Sequence, residues 1–235
     1  MAEDLLTYFD ELATSFADSP QAVGYMSPTW FRFEQKAILR WLSNGSKDEE
    51  HGCDKILDVG CGIGLFIEPL VARHFVVGLD ISLAQLQGAR RRGIAGVAGN
   101  GFRLPFRTGF FDKVLFIEVL QQFHPQQGAD LIRELARMVA MQGELVIAVR
   151  NKYSLARALF SPARRILRRR RPSVFGYQPD WLREMFKSLG FTDIQIASVF
   201  PPLKYFQIDS QPARLARYIG SSFVIRGKKQ FEILA

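Results

Sequence analysis

The sequence predicts an α/β protein built on a doubly wound, mostly parallel sheet of seven strands, with an antiparallel pair of strands at one edge. Three observations indicate this fold. Strand and helix patterns alternate after residue 54, a glycine-rich turn follows the first of these strands, and two late strand patterns have no convincing helix between them. Such alternation is typical of parallel sheets, because each crossover between parallel strands needs a long connection that is usually a helix.

Apolar spacing places the elements in chain order. Strands are expected at 55–59, 75–80, 94–98, 112–117, 143–149, 191–200 and 221–234, and helices at 64–73, 82–92, 125–141 and 178–189. Residues 1–43 are expected to be helical, with one helix starting at Ser27 and Pro28, since serine caps helices and proline fits the first helical position. We predict an N-terminal helical cap at 1–50 and a main domain at 51–235 with a basic insert at about 150–176.

The composition fits one domain with accessories. The chain has 235 residues, of which 48% are hydrophobic, and no apolar run approaches the roughly 18 residues of a membrane span. The acidic, amphipathic N-terminus is unlike a signal peptide. Two cysteines, Cys53 and Cys61, and three histidines lack metal-ligand spacing, and Cys61 lies inside the glycine turn. We therefore expect a cytoplasmic protein without a metal site.

The net charge of +8 is concentrated in one segment. Residues 150–171 hold nine of the 31 Lys and Arg and no acid, so the rest of the chain is nearly neutral. This disfavours nucleic acid as a partner, because a broad basic face is missing. One hypothesis is a lid that contacts an anionic acceptor or an anionic membrane surface, which would make the protein peripheral to the inner membrane surface. The alternative is a solvated charged flap. The arginines at the centre of this segment are Arg164, Arg165, Arg168, Arg169, Arg170 and Arg171.

The stretch KILDVGCGIGLF, residues 55–66, reads as a strand followed by a glycine turn. Its glycines are Gly60, Gly62 and Gly64. Glycine accepts positive φ and lets a ligand approach the backbone. The dinucleotide pattern G-x-G-x-x-G fails because Leu65 stands at its third glycine, and the Gly-Lys-Ser/Thr ending of a phosphate loop is missing. What remains is D-x-G-x-G-x-G, in which Asp58 suits a ligand with a positive ammonium group. A tight turn without a ligand is the alternative.

Further candidates follow the second and third strands, whose carboxyl ends border the ligand crevice of a doubly wound sheet. The second strand ends in Asp80, whose carboxylate can accept both hydroxyls of a ribose. The alternative is that Asp80 caps the next helix, although Ser82 is itself a suitable cap. Ile81 offers an apolar face to an adenine, and Asn100 with the backbone of Gly101 can contact an adenine edge.

The order DVGCGIG, an acid closing the second strand, and GNGFRLPFRTGFFD resembles the class I S-adenosylmethionine-dependent methyltransferases. The resemblance covers about residues 55–150 and is strongest to the type 11, ubiquinone-biosynthesis-like group. It implies a Rossmann-like methyltransferase fold, S-adenosylmethionine as cofactor and methyl transfer to a small-molecule or lipid-like acceptor. It also implies that the aromatic stretch at residues 8–16 folds over the cofactor, whereas packing on the core is the alternative for such a stripe.

The same resemblance implies a role for each cofactor-binding residue. The methionine part would be held by Asp58, Gly60, Cys61, Gly62 and Gly64, the ribose by Asp80, and the adenine by Ile81, Asn100 and Gly101, with Ile117 beneath the sulfonium. Two residues depart from the family pattern. Asn100 stands where aspartate is frequent, and Gln122 stands where many relatives have a histidine.

Catalysis by such a protein needs alignment of a nucleophile and exclusion of water, since the methyl of a sulfonium is already electrophilic. A base is needed only when the nucleophile must lose a proton. His124 is the candidate base and Glu118 the second, while a capping role is the alternative for His124. The alternative function is a non-catalytic scaffold with a degenerate methyltransferase fold, which the two departures suggest. A nicotinamide dehydrogenase is disfavoured by the missing third glycine.

Overall fold

The computed structural model describes residues 2–25, 28–43, 53–153, 174–199 and 222–231. The strands are β1 (Lys55–Val59), β2 (Phe75–Asp80), β3 (Ala95–Ala98), β4 (Phe111–Ile117), β5 (Val139–Arg150), β6 (Phe191–Val199) and β7 (Ser222–Lys229). The helices are α1 (Ala2–Phe16), α2 (Pro28–Ser43), α3 (Leu83–Arg91), α4 (Pro125–Met138) and α5 (Pro179–Ser188). Within these residues, no helix is long and apolar enough to cross a membrane.

The seven strands form one sheet in the order β3-β2-β1-β4-β5-β7-β6. The pairs β1–β2, β2–β3, β1–β4 and β4–β5 are parallel, whereas β7 pairs antiparallel with both β5 and β6. The predicted doubly wound sheet with an antiparallel edge pair is therefore confirmed. The chain winds outward from β1 to β3 and then returns to β4, so the carboxyl ends of β1 and β4 form the topological switch point where ligands bind in such sheets.

Alternate residues of the central strands face two separate cores, as the two-residue period of a strand requires. On one face, Leu57 and Val114 pack in a cluster with α4 and α5 residues such as Leu135 and Phe186. On the other face, Ile56, Leu115 and Ile117 pack in a cluster with residues of α2 and α3. Asp58 and Ile117, at the switch point, lie on this second face, which we call the α2/α3 face.

The helix predicted over 64–73 is wrong: the segment consists of turns and a short 3-10 helix at Glu68–Leu70. Pro69 explains the difference, because it has no N–H to donate to the carbonyl oxygen of Leu65. That oxygen accepts a hydrogen bond from Nε2 of Gln35 on α2 instead. The chain thus leaves the glycine turn through irregular backbone that is fastened to α2.

The other boundaries differ less from the predictions. The helix expected over 125–141 ends at Met138, because Val139 already pairs with Phe111 in the sheet. The helix expected near Pro28 begins there, whereas its expected cap Ser27 lies outside the described residues. Most of the basic insert, residues 154–173 with the arginines at 164–171, also lies outside them. The division of the chain at residue 50 stays a prediction.

Candidate active site

The glycine turn lies directly after β1 at the switch point. Gly60, Gly62 and Gly64 have φ values of 75°, 54° and 81°, a region that residues with a Cβ rarely adopt. A Cβ on Gly60 would lie 2.4 Å from Cγ2 of Val119, and one on Gly64 would lie 2.2 Å from Cδ1 of Ile94. Both glycines are therefore required by the packing of the turn as well as by its torsion angles.

The turn is tied to the end of β2 by backbone hydrogen bonds. The N–H groups of Gly60 and Cys61 both donate to the carbonyl oxygen of Leu79, at 2.7 and 3.1 Å. Cys61 is buried, and burial raises the pKa of its thiol well above the usual value, with the charge of Asp80 adding to the effect. The thiol is thus neutral and acts as packing in the turn.

Gly62 links the turn to Asp80. Its N–H donates to Oδ2 of Asp80 at 2.8 Å, and the N–H of Ser82 donates to Oδ1 at 2.9 Å. Burial raises the pKa of Asp80, and the hydrogen bonds from the backbone amides of Ser82 and Gly62 oppose this rise. A carboxylate has about four lone-pair sites, so the group can still accept from a ligand hydroxyl beside these backbone amides. The cap of α3 is Ser82, whose Oγ accepts from the N–H of Gln85 at 3.0 Å.

Asp58, near the end of β1, is a buried ionisable residue of the site. Its side chain points to the α2/α3 face of β1 and the residue is only 3% exposed, and Oδ1 has no hydrogen-bond partner among the described residues. Burial raises the pKa of Asp58 well above its usual value, and the neighbouring charge of Asp80 raises it further. A buried carboxylate oxygen without a donor is unfavourable unless a ligand supplies one. An ammonium group of a ligand would satisfy it.

The residues expected at the adenine lie after β2 and β3 at the same edge of the sheet. Ile81 is 42% exposed, which is unusual for a large apolar side chain. Oδ1 of Asn100 accepts from the N–H of Phe102 at 3.0 Å, so this side chain shapes its own turn. A Cβ on Gly101 would lie 3.2 Å from Cδ2 of Leu131. The contacts of these residues with an adenine stay predictions.

The N-terminal segment is fastened beside Asp80 by contacts that the sequence analysis missed. Nε2 of Gln85 donates to the carbonyl oxygens of Phe9 at 3.0 Å and Ala22 at 2.7 Å, and Oγ of Ser82 donates to Asp10. A Cβ on Gly62 would meet Cγ1 of Val23 at 2.5 Å. Phe9, Asp10 and Ala22 therefore contact the start of α3, and Val23 lies beside the glycine turn, while the expectation that this segment covers a cofactor stays a prediction. No local signal in the sequence indicated these contacts, because they join residues 63 to 76 positions apart.

The candidate base His124 occupies the N-cap of α4. Its Nδ1 accepts from the N–H of Gln126 at 3.4 Å, and its ring packs edge-on against Phe175 with a centroid distance of 5.5 Å. The residue is exposed. His124 therefore acts as the N-cap of α4, and its catalytic role stays a prediction.

A group of ionisable residues lies at the carboxyl ends of β4 and β5. Glu118 follows β4 with φ of 57°, and its Oε2 lies 3.6 Å from Nε of Arg150, the last residue of β5. Nearby, the hydroxyl of Tyr25 donates to Oε2 of the buried Glu34 at 2.8 Å. Sequence analysis missed Glu34, although a signal existed: with Phe31 it occupies the apolar stripe of α2, where a charge is unexpected.

Among the described residues, no group of three or more histidine, cysteine, aspartate and glutamate side chains has an arrangement that could hold a metal ion. The expectation that the protein works without a metal stays a prediction. Ile117, the last residue of β4, is buried on the α2/α3 face, on the same side of the sheet as Asp58. The residues predicted from β1, β2 and β4 therefore meet at one edge of the sheet.

Comparison with known proteins agrees with this geometry. The fold is that of the Rossmann-like α/β proteins, and the family model of the methyltransferase domain, type 11, matches residues 57–147. The structure of magnesium protoporphyrin IX methyltransferase from Synechocystis with bound S-adenosylhomocysteine superposes with a TM-score of 0.70 at 16% identity, over 98% of this chain and 100% of that one. Residues 57–147 thus match the methyltransferase-domain model, as the motifs of this stretch predicted, and the solved structure shares the fold.

Curated relatives match over shorter stretches. A demethylmenaquinone methyltransferase of Corynebacterium kroppenstedtii is 34% identical over 95 residues, which are 40% of this chain and 41% of the relative. The human probable tRNA methyltransferase 9B is 34% identical over 95 residues, which are 40% of this chain and 21% of the relative. The chain thus spans less than half the length of these relatives. The residues present fit S-adenosylmethionine, the cofactor of this family, because Asp58 offers an unsatisfied carboxylate for its ammonium group.

Proposed function

We propose that the protein transfers the methyl group of S-adenosylmethionine to a small-molecule or lipid-like acceptor. The observation that carries the proposal is the buried carboxylate of Asp58, whose Oδ1 lacks a donor among the described residues while Asp80 stands beside the same glycine turn. A scaffold would gain nothing from burying such a group. In a cofactor site the same carboxylate binds the ammonium group of the ligand and is satisfied only when the ligand is present.

The residues of the site would divide the cofactor among them. Asp58 binds the ammonium group, and Asp80, held in place by the N–H groups of Gly62 and Ser82, accepts the ribose hydroxyls. Ile81 and Asn100 border the adenine, and Ile117 lines the pocket near the sulfur. The bound cofactor supplies an electrophilic methyl group, so the protein contributes positioning and exclusion of water.

The nature of the acceptor is supported by two similarities and one charge argument. Demethylmenaquinone methyltransferase and magnesium protoporphyrin IX methyltransferase carry the names of small or lipid-like acceptors. The probable tRNA methyltransferase matches as well as the demethylmenaquinone enzyme, at 34% identity over 95 residues, so the charge argument decides: the excess positive charge of this chain lies in the single segment 150–171. The arginines at 164–171 are our candidates for contact with an anionic acceptor or membrane surface.

Two measurements test the proposal in sequence. Isothermal calorimetry with S-adenosylmethionine, S-adenosylhomocysteine and NAD should give binding of the first two and none of NAD. Cofactor with a labelled methyl group, incubated with cell extract fractions, should then label the lipid or small-molecule fraction. Binding of neither adenosyl ligand would favour the scaffold alternative, and label in the RNA fraction would contradict the acceptor class.

A further inference from the structure

A tyrosine and a glutamate form a buried pair beside the glycine turn. Tyr25 Oη donates to Glu34 Oε2 at 2.8 Å, and Oγ of Ser222, at the start of β7, donates to Glu34 Oε1 at 3.3 Å. Glu34 is only 1% exposed, whereas Tyr25 is partly exposed. The two oxygens of one buried carboxyl group are therefore each held by a hydroxyl group, and these come from distant parts of the chain. We call Tyr25 and Glu34 the Tyr–Glu pair.

The Tyr–Glu pair lies between the glycine turn and the ends of β4 and β5. Tyr25 comes two residues after Val23, which packs against Gly62, and its ring packs against Phe66 at a centroid distance of 6.0 Å. On the other side, Ser222 pairs in register with Arg150, the last residue of β5. The pair is thus on the α2/α3 face, which also carries Asp58 and Ile117.

Neighbouring residues from several elements of the fold shift the pKa of Glu34. Burial raises the pKa of Glu34 to about 8, and the negative charge of Glu118 adds to the rise. The hydroxyl of Tyr25, the guanidinium of Arg150 and the hydroxyl of Ser222 act in the opposite direction. A carboxyl group in this balance exchanges its proton near neutral pH, which suits a proton acceptor better than a permanent ion pair does.

Tyr25 has a different protonation behaviour. Burial raises its pKa well above the usual value, and the charges of Glu34 and Glu118 raise it further. The phenol is therefore neutral at any ordinary pH. A neutral phenol that donates to a carboxylate can receive a second proton on its oxygen while it passes its own to that carboxylate.

We propose that the Tyr–Glu pair receives the proton of the methyl acceptor. This proposal rests on the proposed function. In the step, the oxygen or nitrogen atom of the acceptor's hydroxyl or amino group forms a bond to the methyl carbon. At the same time the carbon–sulfur bond breaks and leaves its electron pair on sulfur. The proton of the acceptor goes to Tyr25 Oη, whose own proton goes to Glu34 Oε2. Glu34 starts ionised and ends neutral, and the acceptor class is one whose hydroxyl or amino group loses a proton on methylation.

The positive sulfonium gives this proposal a test that needs no acceptor. A cation near Glu34 favours its ionised form, so binding of S-adenosylmethionine should release a proton from Glu34. S-adenosylhomocysteine carries the same ammonium group and ribose but a neutral sulfur. The difference between the two ligands therefore reports the response of the whole site to the sulfonium charge, and its loss in Glu34→Gln assigns that response to Glu34.

The experiment is calorimetry of both ligands at about pH 7.5 in buffers with different ionisation enthalpies, which counts the protons released. If the sulfonium lowers the pKa of Glu34 by about one unit, S-adenosylmethionine releases about half a proton more than S-adenosylhomocysteine. Glu34→Gln keeps an acceptor for Tyr25 and should abolish this excess while the protein still binds both ligands. The matched control is Glu184→Gln, an exposed glutamate of α5 paired with Lys187, which should keep the excess.

A second variant tests whether Tyr25 takes part in proton transfer or only supports the structure. Tyr25→Phe removes the hydrogen bond that lowers the pKa of Glu34, so the excess proton release should move to higher pH. With the acceptor fraction identified by labelling, it should also lower kcat and leave the KM for the cofactor unchanged. Equal proton counts for both ligands in the wild type, or an excess that survives in Glu34→Gln, would refute the role of the Tyr–Glu pair in proton transfer. Either result would leave the proposed function intact. Failure of both ligands to bind refutes the proposed function itself.

Discussion

Replacing Asp58 by asparagine should stabilise the free protein and weaken cofactor binding at the same time. Asp58 is 3% exposed and its Oδ1 has no donor among the described residues. Because burial raises its pKa, the folded protein binds a proton that the unfolded chain has already lost above about pH 3.9. Its stability therefore falls as the pH rises from that value toward the raised pKa of Asp58.

Asparagine does not ionise and so avoids this penalty. The free energy of unfolding at neutral pH should rise in Asp58→Asn by about 1.4 kcal/mol for each unit by which the folded-state pKa of Asp58 exceeds the unfolded value, up to neutral pH. For a chain of this size this is a rise in Tm of several degrees. A hydrogen bond between charged groups contributes about 1.5–3 kcal/mol, so affinity for S-adenosylmethionine should fall about ten- to hundredfold.

Thermal unfolding with and without ligand, followed over pH, measures both effects. In the wild type, affinity should fall as the pH decreases below the pKa of Asp58 in the free protein, because the ammonium group binds the carboxylate form. The control is Asp130→Asn, an exposed aspartate of α4 paired with Arg133, which should change neither property. Wild-type affinity in Asp58→Asn, or a loss of stability in the free variant, would refute the reasoning.

Three further predictions concern the other candidate residues. Asp80→Ala should weaken both adenosyl ligands at least tenfold in calorimetry, since two hydrogen bonds to the ribose are lost; unchanged affinity would remove Asp80 from the site. His124→Ala should lower the free energy of unfolding by about 1 kcal/mol through loss of the α4 cap and leave methyl transfer in place, since the Tyr–Glu pair takes the proton; methyl transfer that disappears while cofactor binding persists would contradict that assignment. Replacing Arg168, Arg169, Arg170 and Arg171 by glutamine should leave cofactor affinity intact and reduce salt-sensitive binding to anionic vesicles; vesicle binding equal to that of the wild type would favour the solvated flap.

The sequence predicted the sheet well where strands are short and buried. The predicted bounds of 55–59 and 75–80 are those of β1 and β2. A strand covered on both faces must be apolar along its length, so its pattern is visible without knowledge of its neighbours. The helix expected over 64–73 failed because Pro69 and the packing of Gln35 against the carbonyl of Leu65 outweigh a local apolar pattern.

The order of the last strands was decided by tertiary structure. The sequence indicated an antiparallel pair, but not that β7, the last strand of the chain, lies between β5 and β6. Nothing in the residues of β6 alone distinguishes an inner position from an edge position. The register of β7 with β5, in which Ser222 lies opposite Arg150, settles the choice and brings Ser222 to Glu34.

For the candidate site too, one part was visible in the sequence and another part depended on tertiary contacts. By itself the sequence determined the fold class and the local motif of the glycine turn, because Asp58, the three glycines and Asp80 lie on or directly after neighbouring strands whose carboxyl ends must meet. Only the tertiary structure brought Tyr25, Glu34 and Ser222 together, since their contacts join α2 to a strand that comes 188 residues later than Glu34. The raised pKa values of Asp58 and Glu34 also belong to the tertiary structure, because they arise from burial, and burial is a property of the packed molecule rather than of the local sequence.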